Sequence, residues 1–413
     1  MNTADPLLTL SDSDCPRLLN MTPAEMGLRV RLGTSEWVTG LTGAGTNEVR
    51  TVLNFKGATT SKRWACTNTG IWDITSSTAA PTQVVAFPTV SAFSGWGSGV
   101  TFVSAASGGH FFVYADEENG LYFYNETLVG AVLAGTWTKA TIGAGAFQFT
   151  VASGLDPATV AHVTVWKARV WMTQKNTSYG WFTDILTLFG NATRQNFAGR
   201  FKAGGYLLGL WNWSLDAGSG MDTSLVGVSS GGDVVIYQGT DPTSAAAFSI
   251  KGTWFIGGVV AGRRIVTDFG GDLLILAQGG VVPLSKLVQG NPVFDRSLYS
   301  TYKVNNLYQA QAIATGSAYG WSMAQSPQDG TIMLLMPSGA GQGGGFIATS
   351  MLNKAWSPYS FPLLSPYSME TVDGVLWIGT TDGRIVRHAG YMDEVTTLGT
   401  PRAGSAIPFG LVT

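Results

Sequence analysis

GGYLLGLWNWSLDAGSGMDTSLVGVSSGGDVVIYQGTDPTSAAAFSIKGTWFIGGVVAGRRIVTDFGGDLLILAQGGVVPL, running from Gly204 to Leu284, is the stretch whose reading decides the fold. Two β-hairpin signatures lie inside it. Ser224 to Val228 leads through Ser229-Ser230-Gly231-Gly232 into Asp233 to Tyr237, and Val266 to Phe269 leads through Gly270-Gly271 into Asp272 to Ala277. Each is a pair of short apolar runs, rich in Val, Ile, Leu and Tyr, around a glycine turn able to take positive φ.

The same unit recurs on both sides. Arg63–Thr75 turns at Asn68-Thr69-Gly70, His110–Thr127 turns around Glu118-Asn119-Gly120, and Ala168–Ile185 follows. Downstream come Gly330–Leu352, with a long glycine loop, and Gly374–Gly390, turning at Thr381-Asp382-Gly383. With Trp64, Phe111, Val170, Val226, Leu273, Ile332 and Val375 as matched positions, the spacings are 47, 59, 56, 47, 59 and 43. A variable period near fifty suits a four-stranded blade, and radial stacking of blades removes exposed sheet edges from a long all-β chain. The expectation is an all-β fold: an irregular β-propeller of six or seven blades with a smaller inserted β platform region.

Residues 1–48 read as an N-terminal arm with the first strands, and 49–413 as the propeller. The Ala/Gly/Thr-rich 128–160 fits either a blade or a small platform, which 290–320 would share. Asn305–Thr315 carries Leu307, Ala310, Gln311 and Ala314 at helical spacing and predicts a short helix leading into Trp321. Leu28–Leu32 predicts a strand whose Arg29 and Arg31 share one solvated face.

Composition supports this class. Charged residues are 12 % of 413, well below the roughly 25 % of an average domain, while 54 residues are glycine and 45 % are hydrophobic. That excludes general disorder. A net charge of −2, with Lys and Arg scattered, lacks the basic face that grips phosphates, but is compatible with a wall that DNA slides past. Cys15 and Cys66 make no disulfide framework and read as reduced thiols. No signal-peptide pattern and no run of about 18 apolar residues occurs, so the expectation is a product of the cytoplasm without a membrane-spanning segment.

Candidate chemistry is sparse. Asp216, Gly218, Gly220 and Asp222 mimic a calcium loop, but the twelfth position is Gly227 and no helices flank it, so a turn is the better reading. His110, His162 and His388 have no partner at metal spacing, and no metal or cofactor is expected. Asp241, in Gly239-Thr240-Asp241-Pro242, and Asp272, after Gly270-Gly271, are placed to cap their own turns, with Asp268 nearby. Arg263 and Arg264 are placed to meet a carboxylate of a neighbouring blade or subunit. Most of the fourteen tryptophans sit in strand-like runs and read as rings buried between blades, whereas Trp211 and Trp213 share one strand face and are candidates for contact with a ligand or partner. The glycine-rich Ser338–Gly345 is a candidate gate loop.

These stretches carry a resemblance. FKAGGY with Gly204 and Gly205, WSLDAGSGMD, VSSGGDVVIYQGTDP, the GRR of Gly262–Arg264, and GGDLLILAQGGVVPLS resemble the tail nozzle (tail hub) proteins of short-tailed bacteriophages. AYGWSMAQSPQDGTIMLLMP, SMLNKAWSPYS with Trp356, and GVLWIGTTDGRIV extend the match, and PRLLNMTPAEMGLRVRLG with CTNTGIWDIT adds a looser one. The resemblance implies a non-enzymatic virion component of the tail, made in the host cytoplasm. It implies a homo-oligomeric, typically hexameric, ring below the portal and adaptor, near tail fibres or spikes, with double-stranded DNA passing through its lumen. It brings no catalytic residue, only the aspartates and glycines above as structural signature. The alternative from the residues is a carbohydrate-binding or carbohydrate-cleaving propeller, a lectin or glycosidase, using Trp211, Trp213 and the acids around Asp216 and Asp222.

Overall fold

The computed structural model describes the chain except residues 4–13, 25–26, 42–46, 78–80, 106–108, 127–134, 217–220, 245, 340–342, 351–354, 363, 396–402 and 413. It is a seven-bladed β-propeller. Blade 1 is Thr51–Lys56, Ser61–Thr67, Gly70–Asp73 and Thr82–Ala86, an antiparallel meander from the axis outward. Blades 2, 3 and 4 repeat this plan from the innermost strands Gly97–Ser104, Val160–Trp166 and Leu207–Asp216. Blade 5 has three strands, Val266–Phe269, Asp272–Ala277 and Gly280–Pro283. Blades 6 and 7 start at Ser322–Ser326 and Pro366–Val372.

All seven matched positions fall on the second strand of a blade, which is why the period was visible. In six blades the quoted hairpin joins strands two and three. In blade 5 it joins strands one and two, since the sharper glycine turn at Gly270-Gly271, with φ of 58° and 83°, lies there. The second strands are apolar on both faces because each blade is covered on both sides. Phe111, Val113 and Ala115 face blade 3, while Phe112 and Tyr114 on the alternate face meet Trp64 and Phe55 of blade 1. Trp64, Trp171 and Trp377 are buried between blades as expected, whereas Trp254, expected with them, is on the outer strand of blade 4, only partly buried and lining a groove at the rim.

Closure comes from the other end of the chain. Thr34–Val38 pairs antiparallel with Ile385–His388, so the N-terminal region supplies the fourth strand of blade 7. Asp393–Val395 and Ala403–Ser405 widen the same sheet. Val38 and Leu41 share one core with Val52, Trp377 and Ile385, fusing blade 7 to blade 1. The two arginines of the predicted 28–32 strand do not share a solvated face. The strand is Gly27–Val30, and Arg31 beyond it is buried. Arg31 donates two bonds to Asp393, 2.9 and 2.7 Å, with further bonds to Ser360 O and Leu32 O, and lies 3.9 Å above the Phe361 ring. With Nε donating to Asn20 Oδ1 at 3.1 Å, all five donors of this guanidinium are engaged, three of them on residues 360 and 393 from the far end of the chain.

Of the two platform segments, Thr136–Lys139 is the outer strand of blade 2, and 284–315 wraps blade 5 in place of a fourth strand. The helix Asn305–Thr315 forms as predicted, but buries Asn305, Tyr308, Ala312 and Thr315 instead of the Leu307 face. The Tyr308 hydroxyl donates to Ala277 O at 2.6 Å, and Trp321 Nε1 donates to the Thr315 carbonyl at 3.0 Å, which fixes that rotation.

Candidate functional site: the axial cavity

The seven innermost strands enclose a cavity of about 590 Å³. Its wall is tied blade to blade by side-chain bonds. Thr51 Oγ1 donates to Gly95 O (2.7 Å), Thr267 to Met323 O (2.8 Å), Thr371 to Gln325 O (2.6 Å), and Ser368 to Val49 O (2.6 Å). Ser98 Oγ accepts the Val163 amide at 3.0 Å. Each hydroxyl lets an innermost strand bond to its neighbour around the axis where no ladder runs.

Arg263 and Arg264 close one end. Gly262, with φ +103°, turns the chain there in a conformation that favours glycine. Arg263 makes a two-pronged ion pair with Glu117 of blade 2 (one arm 3.0 Å) and donates to the Leu207 and Leu208 carbonyls of blade 4. Glu117 is presented by a turn organised by buried Asp116. The Asp116 carboxylate accepts from Gly95 N, Asn119 N, Asn119 Nδ2 and the Tyr114 hydroxyl. Burial pushes the Asp116 carboxyl up to about 6 against those donors. Arg264 donates through Nη2 to Arg50 O of blade 1 at 2.6 Å and lies 5.3 Å from the Trp96 ring. The sequence predicts a carboxylate of a neighbouring blade or subunit; Arg263 instead meets one on blade 2, which does not adjoin blade 5.

His162, 3 % exposed, lines the cavity beside Trp211, ring centroids 4.9 Å apart. Burial, with the Arg263 charge adding to it, pushes its imidazole down to about 3, so it is neutral near pH 7. Glu370 of blade 7 faces the same space, and burial raises its carboxyl to about 7 although the charge of Arg264 opposes this. His388 is elsewhere, between blades: Nε2 donates to Leu32 O (3.1 Å) and Nδ1 accepts from Ser326 Oγ (2.9 Å), a packing role. His110 lies on the rim, 4.0 Å from Glu126.

The other sequence candidates are dispersed. Trp211 borders the cavity, but Trp213 is 2 % exposed and packs in the core of blades 4 to 6, so the pair offers no shared platform. Gly218, Gly220 and the centre of the Ser338–Gly345 loop lie outside the described residues, and of Asp216 and Asp222 only the backbone is described, at the end of a long ribbon. Asp241 caps its turn through Thr243 N (3.0 Å) and meets Arg169 at 3.3 Å, with Pro242 following. Asp272 accepts from Ser285 N at 3.0 Å and holds the helical turn after blade 5, and Asp268 is exposed at the cavity mouth. Trp356 is buried and donates to Ser300 O at 2.8 Å. Gly239, at φ +136°, leaves no room for a side chain against Ala247 O.

The remaining signature residues form one structural knot. Gly204 and Gly205, at φ 77° and 85°, bring FKAGGY against the SSGGD turn, where Ser230 Oγ accepts from Tyr206 N and Asp233 accepts from Ala203 N. A Cβ on Gly205 would lie 2.4 Å from Ser230 Oγ and 2.7 Å from Gly231 N. The strand leaving this knot presents the Leu207 and Leu208 carbonyls that Arg263 binds. No group of three potential metal ligands occurs among the described residues.

No family model and no curated protein matches the chain. Among solved structures it is similar to virginiamycin B lyase from Staphylococcus aureus, at 10 % identity and a TM-score of 0.43 over 86 % of this chain and 98 % of that one. It is also similar to PorZ, a surface component of the type-IX secretion system of Porphyromonas gingivalis, at 12 % identity and a TM-score of 0.41 over 91 % of this chain and 39 % of that one.

Proposed function

We propose that this chain is a structural subunit of a bacteriophage tail nozzle, a ring of copies, six in the family it resembles, that guides genomic DNA outward below the portal and adaptor. The observation that carries the reading is the knot itself. FKAGGY, SSGGD and GRR, the stretches behind the resemblance, are separate in sequence yet are bonded to one another as backbone-shaping elements: Asp233 accepts from Ala203 N, Ser230 from Tyr206 N, and Arg263 donates to Leu207 O. Such residues serve shape, which is what a conduit subunit requires.

The DNA path in this reading runs between copies. The major groove of a duplex alone is about 12 Å wide, and a cavity of about 590 Å³ with a floor of Arg263 and Glu117 cannot thread it. Side-by-side packing of discs can use apolar side chains on the rim. Phe255, 40 % exposed, lines a groove of about 610 Å³ between blade 4 and the segment after blade 5, and Phe294, 87 % exposed, comes three residues after Asn291 of that lining. Head-to-tail contacts of this kind close into rings when the rotation allows. Fibres or spikes would dock on the finished ring.

Analytical ultracentrifugation and negative-stain microscopy of the purified protein test this. Closed rings, lost on Phe294→Asp, are expected. A monomer at tens of micromolar protein, with no association to virions, refutes it.

A further inference from the structure

The rim carries a second apolar feature besides the groove between blade 4 and the segment after blade 5. Tyr391 and Met392, 92 % and 55 % exposed, stand on the turn that follows Ile385–His388 in blade 7. That turn is held from both sides. Gly33 N donates to Gly390 O at 2.9 Å, Thr34 N donates to Met392 O at 3.1 Å, and the next residue, Asp393, is clamped by Arg31. Gly33 allows the two backbones to approach, since a Cβ there would collide with the Met392 backbone. An aromatic ring this exposed adds almost nothing to packing within its own copy. On a buttressed turn it loses little freedom when a partner takes it.

The groove has the complementary chemistry. Trp254, Phe255 and Val288 give it an apolar wall, and Lys202, Gln289 and Asn291 bring polar groups to the same lining. A ring with one polar tip matches such a lining, with its hydroxyl toward the amides, and a methionine fills irregular apolar space beside it. The volume of about 610 Å³ leaves room for both side chains. One copy cannot bring knob and groove together. Seen down the propeller axis they are about 130° apart, two and a half blades of seven, and a ring of six sets the two contacts of a subunit about 120° apart. Phe255 pairs with Asp233 at the floor end of blade 4, whereas Tyr391 follows the upper end of Ile385–His388. Joined copies would therefore overlap with a lean, upper rim to lower rim. We infer that Tyr391 and Met392 of each copy insert into the groove between blade 4 and the segment after blade 5 of the next copy, a head-to-tail contact between unlike surfaces. The assignment rests on the ring reading above and names the contact that builds the ring.

Sedimentation velocity of the parent, of Tyr391→Ser, of Phe255→Asp and of an equimolar mixture of the two variants tests it, with near-UV circular dichroism as the check on folding. Tyr391→Ser should keep the parent's spectrum and weaken association by about thirtyfold or more, the ratio a hot-spot tyrosine commands. Tyr391→Phe should retain most of the affinity. Each of the two variants loses one half of the contact and keeps the other, so their mixture should form dimers that grow no further. Parent rings that survive in folded Tyr391→Ser, or a mixture that stays monomeric, overturn this contact and leave the ring reading standing. Dimers or open chains of the parent that Tyr391→Ser dissolves support the contact and refute the ring. A parent that is monomeric at tens of micromolar overturns both.

Discussion

Replacing Arg263 by methionine keeps the apolar stem of the side chain and removes its charge, and the consequence can be worked from its surroundings. Arg263 and Glu117 are 4 % and 7 % exposed at the side chain, so the carboxylate left behind would be a buried, unpaired charge. Losing one member of such a pair costs about 3–5 kcal/mol. The Leu207 and Leu208 carbonyls lose a donor in the same step, which places Arg263→Met in the upper part of that range. Glu117→Gln with Arg263→Met removes both charges, and it should recover about 2 kcal/mol or more relative to the sum of the single changes. Urea unfolding at pH 7 of the four proteins, compared at constant m, reads these differences directly. A cost for Arg263→Met below about 1 kcal/mol, or strict additivity in the cycle, would refute the view that this pair fastens blades 2, 4 and 5 at the axis.

Three further outcomes follow from groups described in the fold. The Glu126 carboxylate is pushed up by burial, but amides of Thr59, Ala58 and Thr60 at 2.7–2.8 Å outweigh this and hold it at about 2. Its contribution is present above about pH 4.5 and disappears as pH falls toward 2, so Glu126→Gln should flatten that acid limb of a stability-versus-pH curve. Glu370 behaves oppositely: its folded value, about 7, lies above the ordinary 4.5, so stability is full below pH 4.5 and declines as pH rises through 7. Glu370→Gln should therefore compare more favourably with the parent in thermal melts at pH 8 than at pH 4.5, and a ratio independent of pH would contradict this. Removing residues 1–38 deletes the Thr34–Val38 strand and leaves Ile385–His388 as a bare edge; loss of the cooperative near-UV transition is expected, and a native-like melt would show that the strand is dispensable.

Much of the fold was legible because its signal is local. The second strand of every blade is a short, doubly apolar run beside a tight turn, and covering on both faces forces that composition once per blade, at a variable period near fifty. Blade 5 shifted the pattern by one hairpin, since a glycine pair marks a turn but not which turn of the blade. The helix at 305–315 was visible from its lack of breakers, yet its buried face was set by tertiary bonds of Tyr308 and Thr315 that no period reveals. Arg31 and Glu117 illustrate the remainder. Their partners lie 362 and 146 residues away, and an isolated charge in a strand or turn looks the same whether water or a carboxylate will meet it. The axial cavity was out of reach for that reason: the strands that wall it come together only around a ring. Arg263 and Arg264 were singled out as a doublet, but their separate duties, one paired with Glu117 and one bonded to Arg50 O beside Trp96, depend on geometry.

The seam between Thr34–Val38 and Ile385–His388 also sets a timetable. At about 5–20 residues per second, a ribosome needs roughly 20–70 s after releasing the first of these segments before the second emerges. Throughout that interval the early strand is an orphan edge exposed to every other nascent chain. Its composition suits the wait: Thr34, Ser35 and Glu36 precede Trp37 and Val38, and a charge in an unpaired edge discourages mistaken partners. The propeller ring is therefore closed through its earliest-made strand, and the arrival of residues 385–388 acts as the latch that commits it.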